Sequence, residues 1–96
     1  MPTVIAVLKV KEGKMNEAVK VLRALIPQVR KAERGTITYV PRTIEGIKEK
    51  NSILFYEKYK DNTALQTHGA NLAKSLAKLM PLLDPGMDIK LCNEIV

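Results

Sequence analysis

The segment from Glu57 through Tyr59 and Asp61 to His68 brings a carboxylate, a phenol and the chain's only histidine into one short stretch. Imidazole ordinarily titrates near neutral pH, so it can take a proton early in a reaction and return it later. The stretch begins on an apolar strand and ends on a helix, which puts His68 just past a strand-to-helix corner. A regular strand would point Glu57 to the same face as Phe55 and Tyr59. If that face is buried, the carboxylate needs a lysine, arginine or backbone N–H partner, or else it orients His68 or Tyr59.

Other side chains extend this set. Tyr59 and Tyr39 offer hydroxyls to a substrate oxygen and rings as pocket walls, and Phe55 offers a further wall. Asn71 is either an amide donor at the pocket mouth or a solvated turn residue. His68 itself has two readings. It is a base or donor facing a phenolic substrate, or a core histidine bonded to a backbone carbonyl. No His, Cys, Asp or Glu cluster at ligand spacing accompanies it, so no metal is expected. Cys92 reads as a small buried hydrophobe.

These residues need elements to hold them. Thr3 to Lys11 reads as a strand, apolar on both faces, with Glu12-Gly13 as a turn. Lys14 to about Lys31 is predicted as a helix with Met15, Ala18, Val19, Leu22, Leu25, Ile26 and Val29 on one stripe. Pro27 should bend it, and Gly35 is a plausible stop. Thr36 to Arg42 is a second strand, placed at an edge by Pro41. A loop from Thr43 to Lys50 leads to a third strand, Asn51 to Tyr59. Asp61 is a good N-cap for a second helical region stepping through Leu65, His68, Leu72, Leu76, Leu79 and Leu83. Gly69 is a candidate break, and Pro81 and Pro85-Gly86 are expected to close it. Asp88 to Val96 is the last strand, with Ile89, Leu91 and Ile95 on one face. The order β-α-β-β-α-β predicts a ferredoxin-like α+β fold, a four-stranded antiparallel sheet with two helices on one face.

The chain has 96 residues, and residues 1–96 are read as a single domain. No signal peptide or membrane span is expected, and one cysteine without an internal partner suits a reducing, cytoplasmic compartment. The formal net charge is +6, but the basic residues are scattered among apolar and acidic ones. One Phe, three Tyr and no Trp give few stacking platforms, so a solvated surface is preferred to a nucleic-acid footprint. Two helices cover only one face of the sheet. The apolar second face of the first strand therefore predicts a homodimer, sheet against sheet.

Taken together, these residues resemble the antibiotic biosynthesis monooxygenase superfamily, and within it the small quinol monooxygenase-like proteins. Thr3-Val4-Ile5-Ala6 followed by Glu12-Gly13-Lys14 is similar to the family's first strand and turn. Glu33-Arg34-Gly35 followed by Tyr39 is similar to its Glu-Gly-x-x-x-Tyr region. Glu57-x-Tyr59 and Leu65-x-x-His68 resemble its Glu-x-Trp and Leu-x-x-His. The resemblance implies a dimeric α+β barrel with a small apolar pocket between sheet and helices in each protomer. It also implies oxygenation of a quinol or related aromatic by O2 without metal or flavin. In that reading His68, Tyr59 and Glu57 are catalytic, and Tyr39, Asn71 and Phe55 bind substrate. Tyr59 replaces the family's tryptophan, and Gly69 to Ala73 lacks the second histidine of many relatives. The haem-degrading branch is disfavoured, because Ala6-Val7-Leu8 lacks its asparagine and no later histidine follows. Outside enzymology, the same pocket would suit a dimeric module that binds a small hydrophobic metabolite without transforming it.

Overall fold

A computed structural model describes residues 1–95. The elements run β1 (Thr3–Val10), α1 (Met15–Ala32), β2 (Thr36–Thr43), β3 (Ser52–Tyr59), α2 (Asn62–Ser75) and β4 (Leu83–Cys92). The strands form one antiparallel sheet in the order β2-β3-β1-β4. This is the expected ferredoxin-like α+β arrangement, with Pro41 on an edge strand as predicted.

Alternation along the two central strands decides which face the helices cover. Val4, Ala6, Leu8 and Val10 of β1 are buried, as are Ile53, Phe55, Glu57 and Tyr59 of β3. Directly paired residues share a face, so Ala6, Phe55 and Ile89 form one row and Val4, Glu57 and Leu91 the next. Ala18, Leu22, Ile26 and Val29 of α1 close over these rows, at the helical period the sequence predicts. The other face of β1 is less covered than its sequence suggests, since Ile5 and Val7 are only half-buried.

Several boundaries differ from the sequence reading, each for a local reason. α1 starts at Met15 and continues through Pro27 to Ala32. α2 begins as expected, with the Asp61 carboxylate accepting the Ala64 N–H at 2.8 Å. It runs unbroken through Gly69 and stops at Ser75, well before Pro81. Leu76 and Leu79 then turn into the core, held by N–H bonds from Leu76 to Leu72 O and from Leu79 to Leu76 O. The predicted loop after β2 contains a short 3₁₀ turn at Ile47–Glu49, and another, at Met80–Leu82, carries Pro81.

β4 starts at Leu83, earlier than Asp88, and includes Pro85-Gly86. An edge strand can omit the N–H of Pro85, and the pairing register shifts opposite Lys9, where Gly86 takes φ 96°. Ile95 lies beyond the strand and is exposed, so it does not extend the Ile89–Leu91 face. Val96 falls outside the described residues.

Gly35 acts through space rather than as a left-handed stop. A Cβ there would sit 2.5 Å from the Ala64 Cβ, so the α1–β2 corner meets the first turn of α2 without side-chain clearance. The Lys60 N–H bonds Gly35 O at 2.8 Å in the same corner. This close approach sets Glu33 against His68.

Candidate functional site

His68 is the one buried residue of α2. Its ring lies between two carboxylates supplied by different elements. Glu33, at the C-terminal end of α1, places Oε1 2.7 Å from Nδ1. Glu57, on β3, places Oε1 3.6 Å from Nε2, beyond hydrogen-bonding distance. The Tyr59 hydroxyl donates to that same Glu57 oxygen. Thr36 Oγ1 donates to Glu33 Oε1 at 3.5 Å. Tyr39 meets the imidazole edge-on at 4.9 Å between centroids, with Tyr59 at 5.3 Å. Tyr39 is held by the pairing of β2 with β3, opposite Glu57, and by Arg30 Nη2 donating to its carbonyl at 2.9 Å.

This cluster borders a cavity of about 160 Å³ between the sheet and α2. Its walls are almost entirely apolar: Val4, Ala6, Leu8 and Phe55 below, Leu65, Leu72 and Leu76 above. Met87, Ile89 and Leu91 of β4 complete the lining, and Ile89 and Leu91 are exposed to solvent. His68, Glu57 and Tyr39 reach the cavity from one end. Among the described residues, no fully enclosed side-chain N or O atom lacks a hydrogen-bond partner. His68 Nε2 and the Tyr39 hydroxyl make no hydrogen bond to the described residues, and neither is fully enclosed.

The electrostatics assign protons. Burial, then the charges of Glu57 and Glu33, raises the Tyr39 phenol above its ordinary value. Burial and the hydrogen bond to Glu57 do the same to Tyr59. Both phenols therefore stay protonated and act as donors. Burial raises Glu57 above its ordinary 4.5, and the Tyr59 hydrogen bond and the nearby His68 partly offset this. Glu33 holds Nδ1 directly, while Nε2 keeps only the longer approach to Glu57. The two carboxylates occupy opposite ring nitrogens, so they clamp the imidazole instead of converging on one point.

The raised Glu57 has a testable consequence for stability. The folded state holds the Glu57 proton more tightly than the unfolded state does. Stability therefore falls as pH rises from 4.5 through the folded value, and the deficit is complete above it. Glu57→Gln keeps an acceptor for Tyr59 but carries no charge. Denaturant melts should show it more stable than the wild type at pH 7, by about 1 kcal/mol, with the gap closing toward pH 4. A less stable variant at pH 7 would mean that Glu57 acts chiefly as a stabilising ion-pair partner.

Of the residues singled out in the sequence, His68, Glu57, Tyr39 and Phe55 line the cavity. Tyr59 stands behind Glu57, fully buried, with its hydroxyl already committed there. Glu57 finds no lysine or arginine; its side-chain hydrogen bond comes from the Tyr59 hydroxyl. Asn71 is not in the cavity wall. It is exposed and lines a separate groove between α1 and α2. Cys92 is half-buried near the chain's end, not a core residue. Sequence reasoning missed Glu33 as the partner of His68, although a signal was present. Ala18, Leu22, Ile26 and Val29 are the buried positions of α1, and Glu33 occupies the next one. A carboxylate that continues an apolar stripe must find a buried partner.

The fold and the clamped histidine define a ferredoxin-like protein that presents one imidazole to an apolar cavity. The antibiotic biosynthesis monooxygenase family matches residues 1–73, and the chain belongs to it. The match includes Glu33, Glu57 and His68 and stops short of β4, the cavity's outer wall.

Solved structures share the fold along nearly the whole chain. One is a Caulobacter crescentus protein assigned to the same family, at 25% identity and TM-score 0.83, covering 99% of this chain and 90% of that one. A conserved protein from Methanosarcina mazei has 23% identity and TM-score 0.79, covering 97% and 91%. A protein from Shewanella oneidensis has 28% identity and TM-score 0.76, covering 95% and 87%. No curated protein matches the chain. Among the described residues, no helix is long and apolar enough to cross a membrane.

Proposed function

We propose that this protein is a cofactor-independent monooxygenase acting with O2 on a small quinol or related enolisable aromatic. The observation that carries the reading is the placement of His68. Nδ1 is fixed by Glu33, and the residue lines an apolar cavity of about 160 Å³. A cavity of about 150 Å³ holds one benzene ring, so a single aromatic ring fits, and a second ring can extend past Ile89 and Leu91.

The chemistry follows from the cavity walls. A quinol hydroxyl donates to Nε2 and gives up its proton. Apolar walls exclude water and leave the resulting anion electron-rich, while the Tyr39 hydroxyl donates to its oxygen. The anion reduces O2 and the two combine at a ring carbon as a hydroperoxide. Cleavage of the O–O bond leaves one oxygen on carbon and releases the other as water. For 1,4-naphthohydroquinone the balance is C10H8O2 + O2 giving C10H6O3, a hydroxynaphthoquinone, and H2O. The quinol itself supplies the electrons.

Aerobic turnover of 1,4-naphthohydroquinone and smaller quinols, followed by oxygen uptake and product mass, tests this. The wild type should exceed the uncatalysed rate, and His68→Ala should lose the excess. A ligand that is retained and unchanged under oxygen would identify a binding module instead.

The same proposal includes a homodimer in a reducing, cytoplasmic setting. Ile5, Val7, Val40 and Leu54 leave a half-buried apolar strip on the sheet face away from the helices, with Tyr56 more exposed beside it. Burial at about 25 cal/mol per Å² favours a second copy against this strip. Sedimentation should give twice the chain mass, and a monomer at micromolar concentration would contradict it.

A further inference from the structure

The edge strand β4 leaves apolar side chains bare on the sheet face that the helices cover elsewhere. Met87, Ile89 and Leu91 pair with Leu8, Ala6 and Val4 of β1, so all six share that face. The three β1 residues are buried, whereas Ile89 is 51% and Leu91 72% exposed. All six line the cavity that His68 lines. One continuous hollow therefore joins the buried imidazole to an exposed apolar shelf.

The α2 wall of the same cavity carries a gap. Leu65, Gly69, Leu72 and Leu76 line it at the helical period, and Gly69 alone brings no side chain. The backbone does not require glycine there, because the helix runs unbroken through it and its φ is not positive. Packing does not require it either, since a Cβ at position 69 would meet nothing within 4 Å. A mid-helix glycine weakens the helix. What it leaves behind is open space in the cavity wall.

We propose that the gap at Gly69 and the shelf of Met87, Ile89 and Leu91 form one trough for an uncharged alkyl tail, so that the substrate class of this site is a ring-alkylated quinol. This rests on the reading above for the ring and adds the identity of its substituent. The ring occupies the end near His68, and the tail lies between α2 and β4. Glu57, Val4 and Leu91 form one row across the sheet, so the path from ring to shelf spans two strand spacings, about 10 Å. That is longer than one ring. The polar side chains of the cavity are Tyr39, Glu57 and His68, all at the ring's end. A charged substituent would find no partner along the shelf, whereas each methylene buried there strengthens binding by about two- to fourfold.

Alkylphenols test the trough without turnover, since they carry one ring, one hydroxyl and no redox step. Calorimetric titration of the full chain with phenol, 4-ethylphenol, 4-butylphenol and 4-hexylphenol should show Kd falling about thirtyfold or more along the series. Gly69→Leu fills the gap, and Ile89→Ser combined with Leu91→Ser removes the shelf. Each should cut that gain to below about fivefold. Ile37→Ser changes a similarly exposed apolar residue on β2, outside the cavity, and should leave the gain intact. Gly69→Ala should unfold at higher urea than the wild type.

A flat series in the wild type, or a gain that survives in both trough variants, would overturn the proposal. So would a lower urea midpoint for Gly69→Ala, which would mean that the glycine serves packing. A changed sedimenting mass in the Ile89→Ser, Leu91→Ser protein would put a second copy on the shelf and also overturn it. In turnover, 2-alkyl-1,4-benzohydroquinones should show KM falling with chain length at nearly constant kcat, because the tail binds ground and transition states alike. If no quinol is turned over while the alkylphenols behave as stated, the base reading fails and the trough stands.

Discussion

His68→Ala is expected to cost about 1–3 kcal/mol of stability and, with a quinol substrate, about 10²–10⁴-fold in turnover. The stability loss comes from Glu33 and Glu57. Each loses the group between them, and both carboxylates remain buried. A buried carboxylate that loses its hydrogen-bond partner is among the more costly changes a single substitution makes.

The two losses can be separated. His68→Leu combined with Glu33→Gln removes the base and one of the stranded charges together. It should recover much of the stability measured by urea melts, because a buried ionic cluster is often replaceable by apolar packing. It should recover none of the turnover. If the single variant melts like the wild type, the carboxylates do not depend on the imidazole and the clamp described above is wrong.

Gly35→Ala is expected to destabilise by about 1–3 kcal/mol, a large effect for one methyl group at a half-buried position. The added Cβ would meet the Ala64 Cβ at 2.5 Å, well inside contact distance. Because α2 would have to move away from the α1–β2 corner, the Glu33–His68 bond should lengthen as well. Ala64→Gly opens the space from the other side, at a helix-propensity cost of about 1 kcal/mol. In a double-mutant cycle the pair should lose less than the sum of the singles. Strict additivity would show that the corner is not tightly packed.

The α1 stripe, the Asp61 cap and the edge position of Pro41 were legible in the sequence because each rests on local chemistry. A helical period, a capping carboxylate and a missing N–H need no distant partner to be recognised. The end of α2 was not legible. Leu76, Leu79 and Leu83 continue the helical spacing, and only tertiary packing turns them inward from a tighter chain path. β4 was hidden for a related reason. Pro85-Gly86 reads as a turn, and it joins a strand only because an edge and a bulge accommodate it.

At the site, Glu57, Tyr59 and His68 were visible as a cluster because they are close in sequence. Their roles were not, since the order in depth, with Tyr59 behind Glu57 and Glu57 beside Nε2, is set by the sheet. Glu33 lies far from His68 in sequence. Gly35 brings the two together, and its significance is a missing atom.

The most direct test of the account is a turnover of 1,4-naphthohydroquinone under ¹⁸O2 with no metal or flavin added, read by mass spectrometry. A hydroxynaphthoquinone carrying one ¹⁸O is expected, formed faster with the wild type than without protein and not by His68→Ala. Unlabelled naphthoquinone with hydrogen peroxide, appearing at the same rate with or without the protein, would contradict it.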